Sequence, residues 1–321
     1  MARFSQSLGR RFAQAAATRV GRWITLLVVL TLLLFSGLRR SATTVTSTCR
    51  LTLPRVVSHR GVDEDEHGPA PSTLPKIGAL IDDGIGSFDL DLFWADDGGG
   101  TTLFIGHPPS LRKMWKLADE VHATPLDTLR TRAQPDGLLR FTDLLALLAR
   151  RRADVGTVSL ELKFPTHPEW MRRLRMMYAQ AAAHGVAQLI AGIVSSRAEA
   201  VAHRAAQAAA GVRVPLLCIL RDIDAPVGAD GEPHPNASMM RASADAFDGW
   251  APSWKLLEPS LLTAAQSAPL SVWSVDTEAQ LRRVFTHGPK DVISNRPRWA
   301  RKTLAAWQRD VCAGVPDTPD K

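Results

Sequence analysis

Arg55-Val56-Val57-Ser58-His59-Arg60-Gly61 is a short apolar run that ends abruptly on a histidine and an arginine. The pattern recurs downstream. Phe88-Asp89-Leu90-Asp91-Leu92, Leu103-Phe104-Ile105-Gly106-His107 and Val158-Ser159-Leu160-Glu161-Leu162-Lys163 each set titratable groups at or near the end of a strand-length apolar stretch. Such runs, bounded by polar or glycine residues, read as buried strands. In a parallel α/β barrel the C-terminal strand ends form one face, so residues scattered in sequence become neighbours there. From residue 55 onward these runs alternate with amphipathic stretches, the signature of βα units around a parallel sheet.

Candidate strands cover 55–59, 87–93, 103–107, 157–163, 187–194, 214–220, 247–251, 269–275 and 291–294. Helical stretches lie between them at 74–83, 141–152, 169–184, 197–210, 256–266 and 278–286. Several close on a glycine (Gly84, Gly185, Gly211, Gly288), as suits the residue just past a helix end. Nine candidates for eight places require one accessory strand, and 103–107, which follows Gly98-Gly99-Gly100, is the one expected. The predicted fold is a single TIM (β/α)8 barrel over 55–300, preceded by an N-terminal transmembrane or signal segment and followed by a C-terminal tail at 301–321.

The charge is unevenly spread. The first 62 of the 321 residues carry ten Arg, no Lys and no acid, so the formal +7 of the chain less this +10 leaves −3 for residues 63–321. The excess belongs to the N-terminal segment, and nothing downstream suggests a nucleic-acid groove; nucleic acid is not an expected partner. Trp23 to Leu38 is sixteen residues without a charge, about 24 Å as a helix and somewhat short of a ~30 Å hydrocarbon core. Three readings compete: a signal anchor, an organellar transit peptide and a cleaved signal peptide. The anchor fits best, with five Arg before the span and two just after it, which makes 1–22 a cytoplasmic basic segment, 23–38 the span and 39–54 a small, polar stalk. The barrel is then expected on the lumenal or extracytoplasmic side of a single-pass protein, with organellar or secreted forms as alternatives. Asn236-Ala237-Ser238, a glycosylation sequon, adds slight support. Of the three cysteines, Cys218 reads as a buried core thiol, while Cys49 and Cys312 flank the barrel and are a candidate tether.

The strand-end residues suit phosphodiester chemistry, which needs neutralisation of the phosphate, a base for the attacking oxygen and an acid for the leaving one. Asp89 and Asp91 stand two apart on a strand and face the same way. With Glu161 they form an all-oxygen set suited to one divalent cation, Mg²⁺ or Ca²⁺, rather than zinc. The alternative is that the two aspartates cap a helix or pair with arginine. His59 and His107 make an acid–base pair, since imidazole titrates near neutrality. Arg60 and Lys163 are placed to hold phosphate oxygens; Lys163 can instead pair with Glu161. Trp273 and Asn295 are the candidate substrate-pocket residues. The remaining histidines (67, 122, 167, 184, 203, 234, 287) are expected at the surface.

Taken in order, His59-Arg60-Gly61, Asp89-x-Asp91, Gly106-His107, Glu161-x-Lys163, Trp273-x-Val275 and Asn295-Arg296-Pro297 resemble the glycerophosphodiester phosphodiesterases. More broadly they resemble the phospholipase-C-like phosphodiesterase superfamily, over about residues 55–300. The resemblance implies a TIM barrel with His59 and His107 as general acid and base. It further implies that Asp89, Asp91 and Glu161 hold one divalent cation, with Arg60 and Lys163 on the phosphate. Three departures mark a divergent member. Asp89 stands where the family usually has Glu, Val62-Asp63-Glu64-Asp65-Glu66 replaces the usual Glu-Asn, and Pro108-Pro109 follows the second histidine in place of Asp. Gly106-His107-Pro108-Pro109-Ser110-Leu111 is closer to a divergent fungal and algal-type branch. The expected function is a metal-dependent phosphoric diester hydrolase acting on glycerophosphodiesters or (lyso)phospholipid head groups. The alternatives are an inactive barrel that binds lipid or phosphate at a membrane and, more weakly, an aldolase- or glycosidase-like barrel.

Overall fold

The computed structural model describes residues 52–64, 72–96, 100–134, 137–225, 240, 244–265 and 268–313. The basic segment 1–22, the span 23–38, most of the stalk, the sequon and the Cys49–Cys312 tether lie outside the described residues or rest on side chains that do. Among the described residues no helix is long and apolar enough to cross a membrane.

The chain runs β1 (Arg55–His59), α1 (Leu74–Asp82), β2 (Phe88–Asp96), β3 (Thr101–Ile105), α2 (Pro108–Trp115), α3 (Leu126–Arg132), α4 (Phe141–Arg150) and β4 (Val158–Leu162). It continues through α5 (Trp170–Ala183), β5 (Ile190–Val194), α6 (Arg197–Ala209), β6 (Leu216–Leu220) and β7 (Gly249–Pro252). It closes with α7 (Pro259–Ala265), β8 (Ser271–Val272), α8 (Glu278–Phe285), β9 (Asp291–Ser294) and α9 (Pro297–Ala313), which carries helix well past residue 300. Eight parallel strands follow the order β7-β6-β5-β4-β2-β1-β9-β8. The parallel bridges Trp250↔Leu270 and Ser253↔Trp273 bring the β7 and β8 edges together, so the sheet curls into a nearly closed barrel. β8 is shorter than the expected 269–275, in keeping with Pro269, which has no backbone N–H to donate to the ladder.

β3 is the accessory strand. It pairs antiparallel with β2, from Leu92↔Ile105 to Asp96↔Thr101, and so stands outside the barrel wall. The strands read as apolar runs because the wall is buried on both faces, towards the helices and towards the lumen. β5 is buried at all five positions. Ala191, Ile193, Leu217 and Ala251 pack together, with Ile219 and Trp273 against them. Helix ends follow local chemistry. Thr277 and Gln280 form a reciprocal capping box at α8, and Gly84 and Gly185 take φ of +72° and +65°, where a side chain would be strained. Cys218 is a free, buried thiol, and burial pushes its pKa up to about 12.

One expectation needs correction. His203 is buried, not on the surface, and hydrogen-bonds Tyr178 Oη through Nδ1 at 2.7 Å. Burial lowers its pKa to about 3, so the ring is neutral and Nδ1 accepts from the phenol. His122 and His167 are half-buried, packing with Trp94 and Phe164 at ring separations of 4.2 to 6.1 Å.

Candidate active site

The charged strand-end residues meet at one mouth of the barrel, in a pocket of about 480 Å³. His59 is the last residue of β1. Arg60 follows with φ +59°, an uncommon geometry for a non-glycine residue, held by its N–H to Asp89 O at 2.6 Å and by the Ser72 hydroxyl on its carbonyl. Parallel pairing of β2 with β4 sets Asp91 opposite Glu161. Lys163, one residue past β4, places Nζ 2.7 Å from Asp91 Oδ1 and 2.7 Å from Glu161 Oε1.

His107 arrives from the other direction. β2 climbs above the barrel to Asp96, and β3 turns back down along it, delivering Gly106 and His107 to the level of Asp91. Gly106 N–H bonds Asp91 O at 2.9 Å, and a Cβ at Gly106 would meet Leu111 Cδ1 at 2.7 Å. His107 is then the N-cap of α2, where its Nδ1 accepts from Ser110 N at 3.3 Å and lies 2.8 Å from Ser110 Oγ. Arg60 Nη1 donates to the same Ser110 Oγ at 3.1 Å, which links the two sides of the mouth.

Opposite tautomers follow from these partners. Asn295 Nδ2 donates to Asp276 Oδ2 at 2.8 Å, so its Oδ1 faces His59 Nδ1 at 2.6 Å and accepts from it. Neutral His59 therefore carries its proton on Nδ1 and leaves the Nε2 lone pair free. Neutral His107, whose Nδ1 is an acceptor, carries its proton on Nε2. Asp276 is itself fixed by Asn295 N–H at 2.8 Å and Ser294 Oγ at 3.1 Å. Asn295, expected to line the pocket, has its carboxamide engaged by His59 and Asp276. Trp273 does line the pocket, its ring fixed by Nε1 donating to Ala251 O at 2.7 Å.

The electrostatics carry the imprint of crowded acids. Burial, then Asp91 and Glu161, push Asp89 up to about 8. Burial works against ionised Asp91 too, but Lys163, His107 and Arg60 outweigh it and hold the carboxyl below its usual range. Lys163 is raised in turn by Asp91 and Glu161 against its burial. Burial and the Arg60 charge lower His59. Burial lowers His107 to about 4 against the pull of Asp91. Among the described residues no hydrogen bond or ion pair reaches the Asp89 carboxylate. A buried carboxyl pushed up by the two acids beside it is what an all-oxygen cation set looks like without its positive charge. The donor chemistry thus fits a divalent cation. As they stand, however, no three His, Cys, Asp or Glu side chains among the described residues are gathered into a ligand set, and Lys163 bridges two of the acids.

Sequence reasoning missed three residues. Asp276 and Ser110 orient the two histidines. Arg221, just past β6, extends Nη2 to Glu161 Oε1 at 3.0 Å. Arg221 had the same signal as the others, an apolar run (216–220) ending on a charge. A second cavity of similar size, about 500 Å³, lies at the opposite end of the barrel, bordered by Arg55, Asp154 and Arg301, and contains none of these groups.

No family model and no curated protein matches the sequence. Solved structures do match. A glycerophosphodiester phosphodiesterase from Parabacteroides distasonis superposes with a TM-score of 0.59 at 15% identity, covering 79% of this chain and 98% of that one. An Oleispira antarctica phosphodiesterase, solved with its product sn-glycerol-3-phosphate, gives 0.57 at 17% identity over 79% of this chain and 97% of that one. A protein from Galdieria sulphuraria assigned to the glycerophosphodiester phosphodiesterases gives 0.63 at 15% identity over 80% and 99%. At such identities the likeness establishes architecture: the chain has the TIM-barrel fold of the glycerophosphodiester phosphodiesterases.

Proposed function

We propose that this chain is a divergent glycerophosphodiester phosphodiesterase-like enzyme, a phosphoric diester hydrolase acting on glycerophosphodiesters or (lyso)phospholipid head groups. The observation that carries the proposal is the pair of histidines in opposite tautomers at one mouth, facing a carboxylate cluster flanked by Arg60 and Lys163. A lipid- or phosphate-binding module has no use for such a pair.

His59 is the base. Its Nε2 lone pair takes the proton of the attacking oxygen, and the resulting imidazolium is stabilised through Asn295 by Asp276. His107 is the acid, passing its Nε2 proton to the leaving oxygen. For this it must first be charged, with Nδ1–H donating to Ser110 Oγ, and the negative phosphate favours that form. Arg60 and Lys163 hold phosphate oxygens. Asp89, Asp91 and Glu161 would hold Mg²⁺ or Ca²⁺, which when bound neutralises charge building on the phosphate. The barrel is proposed to be tethered by residues 23–38 on the extracytoplasmic side of a membrane. Protease protection in sealed vesicles tests that placement, and digestion of the barrel from the cytosolic side overturns it.

The decisive experiment is turnover of a phosphodiester panel by the full-length protein, with and without chelator. Hydrolysis abolished by chelation and restored by Mg²⁺ or Ca²⁺ is the expected result. Absence of turnover on every diester overturns the enzyme reading, and full turnover after exhaustive chelation overturns the cation.

A further inference from the structure

The mouth is chemically lopsided. The β1, β2 and β4 ends carry His59, Arg60, Asp89, Asp91, Glu161 and Lys163. The wall continued by β5, β6 and β8 is Ile193, Val194, Ile219 and Trp273, with two charged side chains, Glu199 and Arg221. Glu199 is spent: its Oε2 accepts Ser195 N–H at 2.8 Å and its Oε1 accepts the Ser195 hydroxyl at 2.6 Å. Arg221 is not. Among the described residues Glu161 is its one ion-pair partner, reached by Nη2 alone, and the side chain is 34% exposed on the pocket wall. Glu161 Oε1 also accepts from Lys163 Nζ at 2.7 Å, and among the described residues no acceptor meets the remaining guanidinium donors.

We infer that Arg221 reads the alcohol half of the diester and selects alcohols that bear a carboxylate, such as a serine head group. This rests on the phosphodiesterase reading above and narrows its substrate. The phosphate is committed to the β1, β2 and β4 side, so one ester arm must lie towards β5, β6 and β8. There a guanidinium beside Ile193, Val194, Ile219 and Trp273, with the Glu199 carboxylate held on Ser195, interacts more strongly with an anion than it would in water. A planar guanidinium matches a carboxylate in a two-pronged fork, and one positive charge balances one negative charge. The Trp273 face would by itself suit a quaternary ammonium, but Arg221 in the same half of the wall opposes a lone cation there.

Glycerophosphoserine and glycerophosphoethanolamine differ only by the carboxylate, so the ratio of their kcat/KM values on the full-length protein isolates the contact. The wild type should favour the serine diester by roughly 10- to 100-fold, the scale of a charge-assisted hydrogen bond realised in one substrate and absent in the other. Arg221→Gln should bring the ratio close to one, and Arg221→Glu should invert it. Arg221→Lys, the conservative variant least apt to disturb folding, should retain part of the preference because it keeps the charge and loses the fork. Equal turnover of the two diesters by wild type overturns the inference. So does an Arg221→Gln variant that slows both diesters alike, which would make Arg221 a positioning group for Glu161. Failure to hydrolyse any diester overturns the phosphodiesterase reading itself, a result distinct from hydrolysis without preference.

Discussion

The two ends of the barrel treat charge in opposite ways. At the N-terminal end Arg55 Nε meets Asp291 Oδ1 at 2.8 Å, Asp291 Oδ2 accepts Ser271 Oγ at 2.8 Å, and Arg55 Nη1 donates to Thr157 Oγ1 at 3.0 Å. Each of these three donors has a matching acceptor. At the mouth, Arg60 Nε is buried without a hydrogen bond, 3.8 Å from Asp91 Oδ2, and Asp89 is held protonated. Two of the three described non-glycine residues with positive φ, Arg60 and Phe164, line that same pocket. One end has its local requirements met; the other keeps strain and unmatched charge in place for something absent from the chain itself. Fold and function therefore draw on different ends, as expected where a stable scaffold carries a strained site.

Substitutions at the two ends should separate accordingly. The largest effect is expected at the histidines. His59→Ala or His107→Ala should each lower turnover on the order of 10²–10⁴-fold, with the melting temperature nearly unchanged. The double variant should lose much less than the product, because both act on one transition state. Near-normal kcat in His107→Ala would confine the histidine to capping α2. Next comes the opposite end. Asp291→Ala leaves a partly buried arginine without its partner and should cost about 2–4 kcal/mol of stability, while activity per folded molecule persists; denaturant melts and active-site titration read the two separately.

Asn295→Ala releases His59 Nδ1 from its acceptor and should lower kcat roughly 10- to 100-fold, the usual scale for groups that orient a reacting residue. Its pH–rate profile should change, whereas a simple loss of substrate contact would raise KM alone. The smallest effect concerns protons. With Asp89 near 8, cation binding at pH 7 must displace a proton. Affinity should therefore weaken by up to tenfold for each pH unit below 8, and stop doing so in Asp89→Asn. Calorimetry in two buffers of different ionisation enthalpy measures the released proton directly, and an identical heat in both would contradict it.

The barrel and the acid cluster were readable from the sequence because a buried strand tolerates no stray charge. A run such as Val158–Leu162 that contains Glu161 and stops at Lys163 advertises its own exception. The approach of His107 was not readable. Its direction depends on an antiparallel return of β3 along β2, and an apolar run looks the same in either direction. The Asp276–Asn295–His59 chain was hidden for another reason: it exists only because β9 lies between β1 and β8, a neighbourhood that spans the whole domain. His203 was within reach, since Ala200, His203, Ala206 and Gln207 recur on the buried face of α6 at helical spacing.

The capping role of His107 has a mechanical consequence. An imidazole that holds the first turn of α2 through its Nδ1 lone pair cannot accept Ser110 N–H once it is protonated. The positive end of the helix also disfavours the charged ring, and a lost N-cap costs on the order of 1 kcal/mol. Proton and helix turn thus behave as two weights on one lever: loading the acid slackens the start of α2, and discharging it onto the leaving oxygen draws the turn tight again. The Ser110 amide should accordingly exchange with solvent faster as His107 is charged, giving each catalytic proton a backbone reporter three residues away.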